Sequence, residues 1–343
     1  MSAQTVVTPR ARRLSRGRLA GWALGLGVAV VVFFVPLFAT PFTNLQLSLI
    51  VAYGVAILGL DVITGHAGQA SLGQSAFFGL GAYATAYGFE HGWPALAGLA
   101  VAIALAGLIG LVAAVPAVRL RGFAFGIITL ALPVVAVPLA VRLQSLTGGS
   151  QGLATDSVRA PAWSGLADDQ WRYYVIVVVG AVAFLLVRNL LVGRIGRGLA
   201  SLRTNETMAA ATGVPVQRYK VLAFTVAALC GGVGGWLYLV AVQFVSPDSL
   251  QLTLAISLLA SLVVGGVRSR LGALIGAAFY VLVPDVTDKL TPGRSYLVDG
   301  VVLLVVLLFF RGGVAGALKL GASRVARAVA RTTTRTTQGE GLL

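Results

Sequence analysis

Residues 94–117 of the chain read PALAGLAVAIALAGLIGLVAAVPA and carry no charged side chain. A helix crosses the apolar core of a bilayer with about 20 consecutive apolar residues, so this stretch has the length and composition of a membrane span. Similar runs recur along the chain, separated by glycine, proline and charged residues. We predict spans near residues 19–40, 44–63, 70–89, 94–117, 122–142, 172–190, 219–243, 251–267, 271–285 and 296–311. The predicted fold class is therefore an all-α integral membrane protein with about ten transmembrane helices.

The composition agrees with a chain surrounded by lipid. Of the 343 residues, 57% are hydrophobic and 11% are charged, whereas soluble domains have about 45–50% and 25%. The apolar runs leave no room for a separate soluble core. We expect a basic cytoplasmic tail at 1–18, a transmembrane domain at 19–311, and a cytoplasmic tail at 312–343 whose polar end is disordered.

The distribution of basic residues predicts the orientation. Lys and Arg number 26 against 11 Asp and Glu, a surplus that nucleic-acid-binding proteins also show. Here, however, the basic residues form short clusters between apolar runs. They occur before Leu19, near Arg119, from Arg188 to Lys220 and near Arg268, and again in the last tail. The positive-inside rule is met if both termini are cytoplasmic, and we expect no nucleic-acid partner.

The first apolar stretch has a second interpretation. Five arginines precede the run from Leu19 to Ala39, as in a cleaved signal peptide or a twin-arginine signal. The run is long for a signal core and lacks a clear small-x-small cleavage site. We therefore predict an uncleaved first span.

Several glycines stand four residues apart, including Gly231 with Gly235 and Gly272 with Gly276. Small residues allow helices to approach closely in lipid, where no hydrophobic force drives them together. We expect these glycines to serve packing. Pro133 and Pro138 fall inside the fifth predicted span, where they either kink a pathway-lining helix or are absorbed by neighbouring helices.

Residues 65–75 read GHAGQASLGQS and form the most polar stretch next to two spans. One interpretation is an ordinary cytoplasmic turn with capping residues. The other is a broken helix that presents free N–H and C=O groups to a small polar solute. Asp61, at the end of the preceding apolar run, is predicted to extend to the inner interface, although an ionisable residue there also raises a functional hypothesis.

We find no pattern typical of a catalytic or metal site. Residues 147–152 read TGGSQG, but the Lys-Ser/Thr ending of a phosphate-binding loop is missing. Cys230 is the only cysteine, lies in an apolar run and is predicted to be a small core residue. No nucleophile, base and orienting residue can be proposed together. We therefore predict a chain that is not an enzyme and that binds no metal or cofactor itself.

The connection at residues 191–218 contains a short helical pattern, GRIGRGLASLRTNETMAAATG, at 193–213. Thr204 or Asn205 can cap the helix, Glu206 suits its positive end, and Gly213 with the following proline stops it. A short helix parallel to the membrane suits contact with a soluble partner. A plain surface hairpin fits the pattern equally well.

Four stretches, in this order and spacing, resemble the branched-chain amino acid ABC transporter permease family, and within it the M-type subunit. They are residues 65–83, residues 119–122 with 129–131, residues 147–153 and residues 193–220. The resemblance extends from about residue 45 to residue 311. It implies a multi-pass protein of the bacterial inner membrane.

The resemblance also implies partners and site residues. The partners are a homologous second permease, two cytoplasmic ATPases that would hold ATP and Mg, an external solute-binding protein, and membrane lipid. The residues that would couple to the ATPase are Arg203, Asn205, Glu206, Ala209 and Gly213. The residues that would line the substrate pathway are Gly65, His66, Gly68, Gln69, Ser71, Gln74 and Ser75.

The chain departs from the family pattern at three places. His66 replaces a usual Tyr, Pro133 lies near a place where an acidic residue is common, and residues 266–273, GVRSRLGA, lack the usual Gly and Pro. Branched-chain amino acids are the expected solute, with urea, short amides or other amino acids as alternatives. An ATP-independent transporter would need ionisable residues deep in the spans, which are scarce apart from Asp61.

Overall fold

The structure is a computed structural model that describes residue 32, residues 34–117, 119–120, 123–155 and 158–290, and the isolated residues 300, 301, 305, 313 and 316. Its helices are α1 (Pro41–Leu60), α2 (Gln74–Glu90), α3 (Ala95–Ala117), α4 (Phe123–Arg142), α5 (Gln144–Thr147), α6 (Asp168–Val192), α7 (Arg194–Thr204), α8 (Glu206–Ala211), α9 (Val216–Val242), α10 (Leu252–Gly265) and α11 (Arg270–Leu290). A π-helical turn, Asp61–His66, extends α1, and two 3₁₀ turns lie at Gly149–Gln151 and Pro247–Leu250.

The predicted spans from 44–63 to 271–285 each coincide with a helix. Within the described part of the chain, six helices are long and apolar enough to cross a membrane: Pro41–His66, Ala95–Pro116, Ala124–Arg142, Asp168–Val192, Val216–Val242 and Arg270–Lys289. The all-helical membrane class is thereby confirmed. The predicted spans at 19–40 and 296–311 and both tails lie mostly or wholly outside the described residues, so the number ten and the orientation of the termini stay predictions.

Helix α9 forms the centre of the bundle and packs against α1, α2 and α3. Its glycines allow the contact, since a Cβ at Gly235 would meet the carbonyl oxygen of Phe78 and one at Gly231 would meet the side chain of Phe77. Trp236 on the same helix is fully buried, and its indole Nε1 donates to Ala95 O at 3.1 Å. The predicted packing role of this glycine pair is confirmed.

Helices α10 and α11 pack through a second set of small residues. A Cβ at Gly276 would meet the carbonyl oxygen of Ser261, and one at Gly265 would meet that of Gly272. The backbones of the two helices therefore approach closely, as predicted for Gly272 and Gly276. Cys230 on α9 is buried, in agreement with its predicted place in the core.

The glycine-rich stretch after α5 forms a turn. Gly148, Gly149 and Gly152 have φ values of 69°, 63° and 75°, which residues other than glycine rarely adopt. The turn leads into strand β1 (Leu153–Ala154), which pairs antiparallel with strand β2 (Phe244–Val245). This small sheet was not predicted, because two-residue strands carry too little pattern to be recognised.

We predict that Gly235→Ala will destabilise the full-length chain in detergent. The added Cβ collides with the backbone of α2, and such overpacking costs about 1–3 kcal/mol. The matched control is Gly126→Ala in α4, where a Cβ meets only Ala70 O, at 3.6 Å. The thermal midpoints of both variants and of the parent would be compared, and equal midpoints for the two variants would contradict the close packing of α9 on α2.

Candidate functional site

Helix α2 begins inside the bundle and not at its end. After the π-helical turn the chain is non-helical from Ala67 to Gly73. The side-chain Nε2 of Gln74 then donates to Ala56 O at 2.9 Å and to Ala227 O at 3.1 Å. Because Ala227 lies near the middle of α9, the first residue of α2 lies at about half the depth of that helix.

A second interruption meets the first. The 3₁₀ turn Pro247–Leu250 precedes α10, a helix of only 14 residues. Ser75 Oγ donates to Leu250 O at 3.2 Å, and Gly79 lies against the Leu250 side chain. Two short helices thus start inside the protein, and the first turns of α2 touch the 3₁₀ turn that precedes α10. Membrane proteins tolerate such an arrangement only where protein or a water-filled cavity surrounds the backbone.

Side chains accept hydrogen bonds from two backbone N–H groups of the segment 67–73. Leu72 N donates to Thr129 Oγ1 at 3.1 Å, and Gly73 N donates to Ser71 Oγ at 3.4 Å. The side chain of Gln69 differs from these. It is 4% exposed, and neither its amide nitrogen nor its oxygen has a hydrogen-bond partner in the described part of the chain. A buried free amide of this kind calls for an explanation such as a ligand or water.

A cavity of about 540 Å³ adjoins the interrupted helix. Helix α2 contributes Phe77 and Tyr83, and α4 contributes Thr129, Leu132 and Ala136. Thr129 connects the two features, because it also accepts a hydrogen bond from the backbone of the non-helical segment 67–73. The volume is within the range of small-molecule pockets, about 300–1,000 Å³. The lining is almost entirely apolar.

Neither Pro133 nor Pro138 lines this cavity. Helix α4 continues through both prolines, from Phe123 to Arg142. Other residues of α4 form the wall, so the helix borders the cavity although its prolines do not.

Asp61 is buried and does not extend to the interface, so that prediction was wrong. Its side chain is 0% exposed, and Oδ1 accepts from Arg268 N at 2.7 Å. Arg268 lies in the turn between α10 and α11, with a φ of 65°. Its N–H is outside any helix and therefore needs another acceptor. His66 Nδ1 lies 3.6 Å from Asp61 Oδ2. The π-helical turn therefore holds the α10–α11 turn.

The predicted pathway and coupling segments touch each other. Arg203, near the end of α7, donates from Nη1 to Gly65 O at 2.6 Å. Gly68, with a φ of 75°, packs against the Arg203 side chain, and a Cβ there would lie 2.8 Å from Arg203 Cγ. A movement of α7 would therefore act directly on the segment that precedes α2.

The predicted helix in the connection is present, as two helices instead of one. Asn205 separates α7 from α8 and caps α8, since its Oδ1 accepts from Thr207 N at 2.9 Å and from Met208 N at 3.1 Å. Ala209 is buried, and Gly213 follows the end of α8 with a φ of 80°. Asn205, and not Thr204, is therefore the cap. Asn205 and Glu206 remain exposed or half-exposed beside this turn.

Lys220 holds α8 against the bundle. Its side chain is 2% exposed, and Nζ lies 2.7 Å from Glu206 Oε1. The same Nζ donates to Leu120 O at 3.4 Å. From the sequence, Lys220 is predicted only as part of a cytoplasmic basic cluster, and neither Thr129 nor Arg268 is predicted as a contact of the site. The sequence did carry a signal for Lys220, because this lysine stands at the beginning of an apolar span. The contacts of Thr129 and of the Arg268 N–H depend on tertiary structure.

Residues 44–309 match the family described as branched-chain amino acid transport system / permease component. The chain belongs to this permease family. Its helices and its family make it a multi-pass transport subunit of the bacterial inner membrane. No solved structure matches it significantly.

Three curated relatives are described as branched-chain amino acid transport permease proteins LivM. The high-affinity protein of Escherichia coli (strain K12) is 27% identical over 290 residues, which cover 76% of this chain and 67% of the relative. That of Salmonella typhimurium is 27% identical over 285 residues, with coverages of 74% and 66%. The probable protein of Methanocaldococcus jannaschii is 23% identical over 233 residues, with coverages of 63% and 67%. The aligned parts span about two thirds of the length of these relatives.

We predict that Asp61→Ala will destabilise this permease and that Asp61→Asn will do so much less. Alanine leaves the part-buried Arg268 N–H without its acceptor, which costs about 1–2 kcal/mol, whereas the asparagine oxygen can replace Oδ1. The control is Asp285→Ala, which removes the exposed ion pair with Lys289 and should have little effect. Thermal unfolding in detergent measures all three, and equal losses for Ala and Asn would contradict the role of Oδ1.

Proposed function

We propose that the chain is the transmembrane permease subunit of an ATP-binding-cassette importer that moves branched-chain amino acids into the cell. The observation that carries the proposal is the meeting of two interrupted helices, at Ser75 and Leu250, beside the apolar cavity. Interrupted helices in transporters leave backbone groups available for a polar solute. The named relatives support the choice of solute.

The solute would use the two parts of the site differently. A branched-chain amino acid has a zwitterionic end, which loses much solvation free energy in an apolar medium, and an aliphatic end. The buried amide of Gln69, with the neighbouring segment 65–75, suits the polar end. The cavity lined by Phe77 and Leu132 suits the aliphatic end. Urea and short amides remain the alternative solutes, but urea has no aliphatic group and a short amide has only a small one to use this cavity.

Two contacts would connect ATP hydrolysis to the pathway. Glu206 on α8 is paired with Lys220 at the start of α9, and Arg203 on α7 holds the carbonyl of Gly65. We infer that α7 and α8 receive the movement of a cytoplasmic ATPase and pass it to the segment before α2. ATP and Mg would be bound by two such ATPase subunits. A homologous second permease and an external solute-binding protein would complete the importer.

Uptake measurements test the solute. In cells that lack their own branched-chain uptake and express the partner subunits, this chain should restore accumulation of labelled leucine, isoleucine and valine. Excess unlabelled apolar amino acids should compete, and urea and polar amino acids should not. Restored transport with competition by urea would assign the alternative solute, and no restoration would refute an importer of either kind with these partners.

We predict that Ala136→Trp will reduce leucine uptake at least several-fold, because the indole fills the cavity on the α4 side. Val134→Trp is the matched control, since Val134 lies on the same helix, is 52% exposed and does not line the cavity. Uptake is normalised to the amount of complex in the membrane. Equal uptake by the two variants would remove the cavity from the pathway.

We predict that Arg203→Ala will lower the number of leucine molecules imported per ATP hydrolysed by the assembled complex. The variant loses the hydrogen bond to Gly65 O and the packing against Gly68. Arg203→Lys retains a donor and should recover part of the ratio. If the ratio stays constant while the amount of assembled complex falls, Arg203 serves only assembly.

A further inference from the structure

A second hollow, distinct from the cavity beside α2, lies between α3 and α9 and has a volume of about 620 Å³. We call it the α3–α9 groove. Its walls are apolar, with Leu111 and Val115 on α3 and Val221, Leu222 and Val226 on α9. Leu111 and Val115 are 47% and 55% exposed. The walls therefore have the chemistry of a surface that contacts hydrocarbon.

One end of the α3–α9 groove is basic. Arg119, just after α3, and Arg218, in the first turn of α9, both line it and are exposed. In the part of the chain that the structure describes, neither guanidinium takes part in an ion pair. Gln217 adds a side-chain amide at the same end. Two cations and an amide thus converge where an apolar trough ends.

We propose that the α3–α9 groove binds one anionic phospholipid. Its acyl chain would lie along the apolar walls, and its phosphate would lie between Arg119 and Arg218. Guanidinium groups bind phosphate with charge-assisted hydrogen bonds, and basic pockets between membrane helices favour anionic headgroups. An apolar helix of a partner would cover the walls but would offer no anion to the two arginines.

The position of the groove gives the lipid a connection to α8. Lys220 lies two residues after Arg218, and its Nζ contacts both Leu120 O, next to Arg119, and Glu206 on α8. A phosphate bridging Arg119 and Arg218 would link the same two segments that Lys220 links. The lipid would therefore stabilise the contact between α8 and the start of α9. Binding of a lipid in the α3–α9 groove does not depend on which solute is carried.

The test uses the full-length chain, purified in detergent and exchanged into bilayer discs of phosphatidylcholine with or without phosphatidylglycerol. Native mass spectrometry counts the phosphatidylglycerol molecules that the released protein retains. We expect one tightly held molecule on the parent protein. In Arg119→Gln with Arg218→Gln, the affinity should fall on the order of 25-fold, because each of the two basic residues contributes about fivefold.

Two further variants distinguish the effect of the groove's two arginine charges on lipid binding from the effect of the groove's shape. Arg188→Gln with Arg270→Gln removes the same amount of charge from exposed arginines outside the groove and should leave the retained lipid unchanged. Val115→Trp keeps all charges but fills the trough, and it should displace the lipid. This variant also keeps the test informative if the arginine variants do not fold.

Three results would overturn the proposal. Phosphatidylcholine could be retained as well as phosphatidylglycerol, the groove arginine variant could retain as much lipid as the control pair, or Val115→Cys could crosslink to another permease subunit in the membrane and show that protein fills the groove. Retention of phosphatidylglycerol that both Arg119→Gln with Arg218→Gln and Val115→Trp abolish would support it.

Discussion

The side-chain amide of Gln74 fixes the position of a helix that begins within an apolar bundle, where lipid offers no partner to an unpaired backbone group. Gln74 ties this start to the carbonyls of Ala56 on α1 and Ala227 on α9, so three helices are fixed relative to one another at the break. The non-helical segment 67–73, the contact of Ser75 with Leu250 and the adjoining cavity all depend on that fixed point.

The polar contacts at the other end of the segment serve a different purpose. Asp61, Arg203 and Lys220 connect α1, α7, α8, α9 and the α10–α11 turn through short bonds to backbone or to a carboxylate. A charged group that is buried, as Asp61 and Lys220 are, is costly to leave without its partner. They bind the connection at 191–218 to the bundle as a unit, so that a push on α7 or α8 reaches the membrane helices. Apolar packing alone would transmit such a movement less directionally.

Much of the fold could be predicted because lipid imposes strict rules on a sequence. Length and apolarity were enough to predict the span at 94–117. The packing role of Gly231 and Gly235 could be predicted from the rule that closely packed helices require small residues. The role of Asn205 as a helix cap could be predicted, together with the alternative Thr204, from the preference of short polar side chains for that position. Asp61 was placed wrongly because its acceptor role depends on the Arg268 N–H, more than 200 residues away in the chain. The coupling and pathway segments were each predicted, but their contact through Arg203 was not.

The sequence by itself determined the membrane class, the approximate position of the described helices and the family, since hydropathy, capping and motif order are local properties of the chain. Only the tertiary structure decided that α2 starts inside the bundle, that Gln74 and Ser75 bind backbone, and that Asp61 is buried. It also decided that the Gln69 amide has no partner among the residues that the structure describes. These features result from contacts between segments far apart in sequence. No local pattern encodes such contacts, because each polar side chain finds its partner only after the helices have packed.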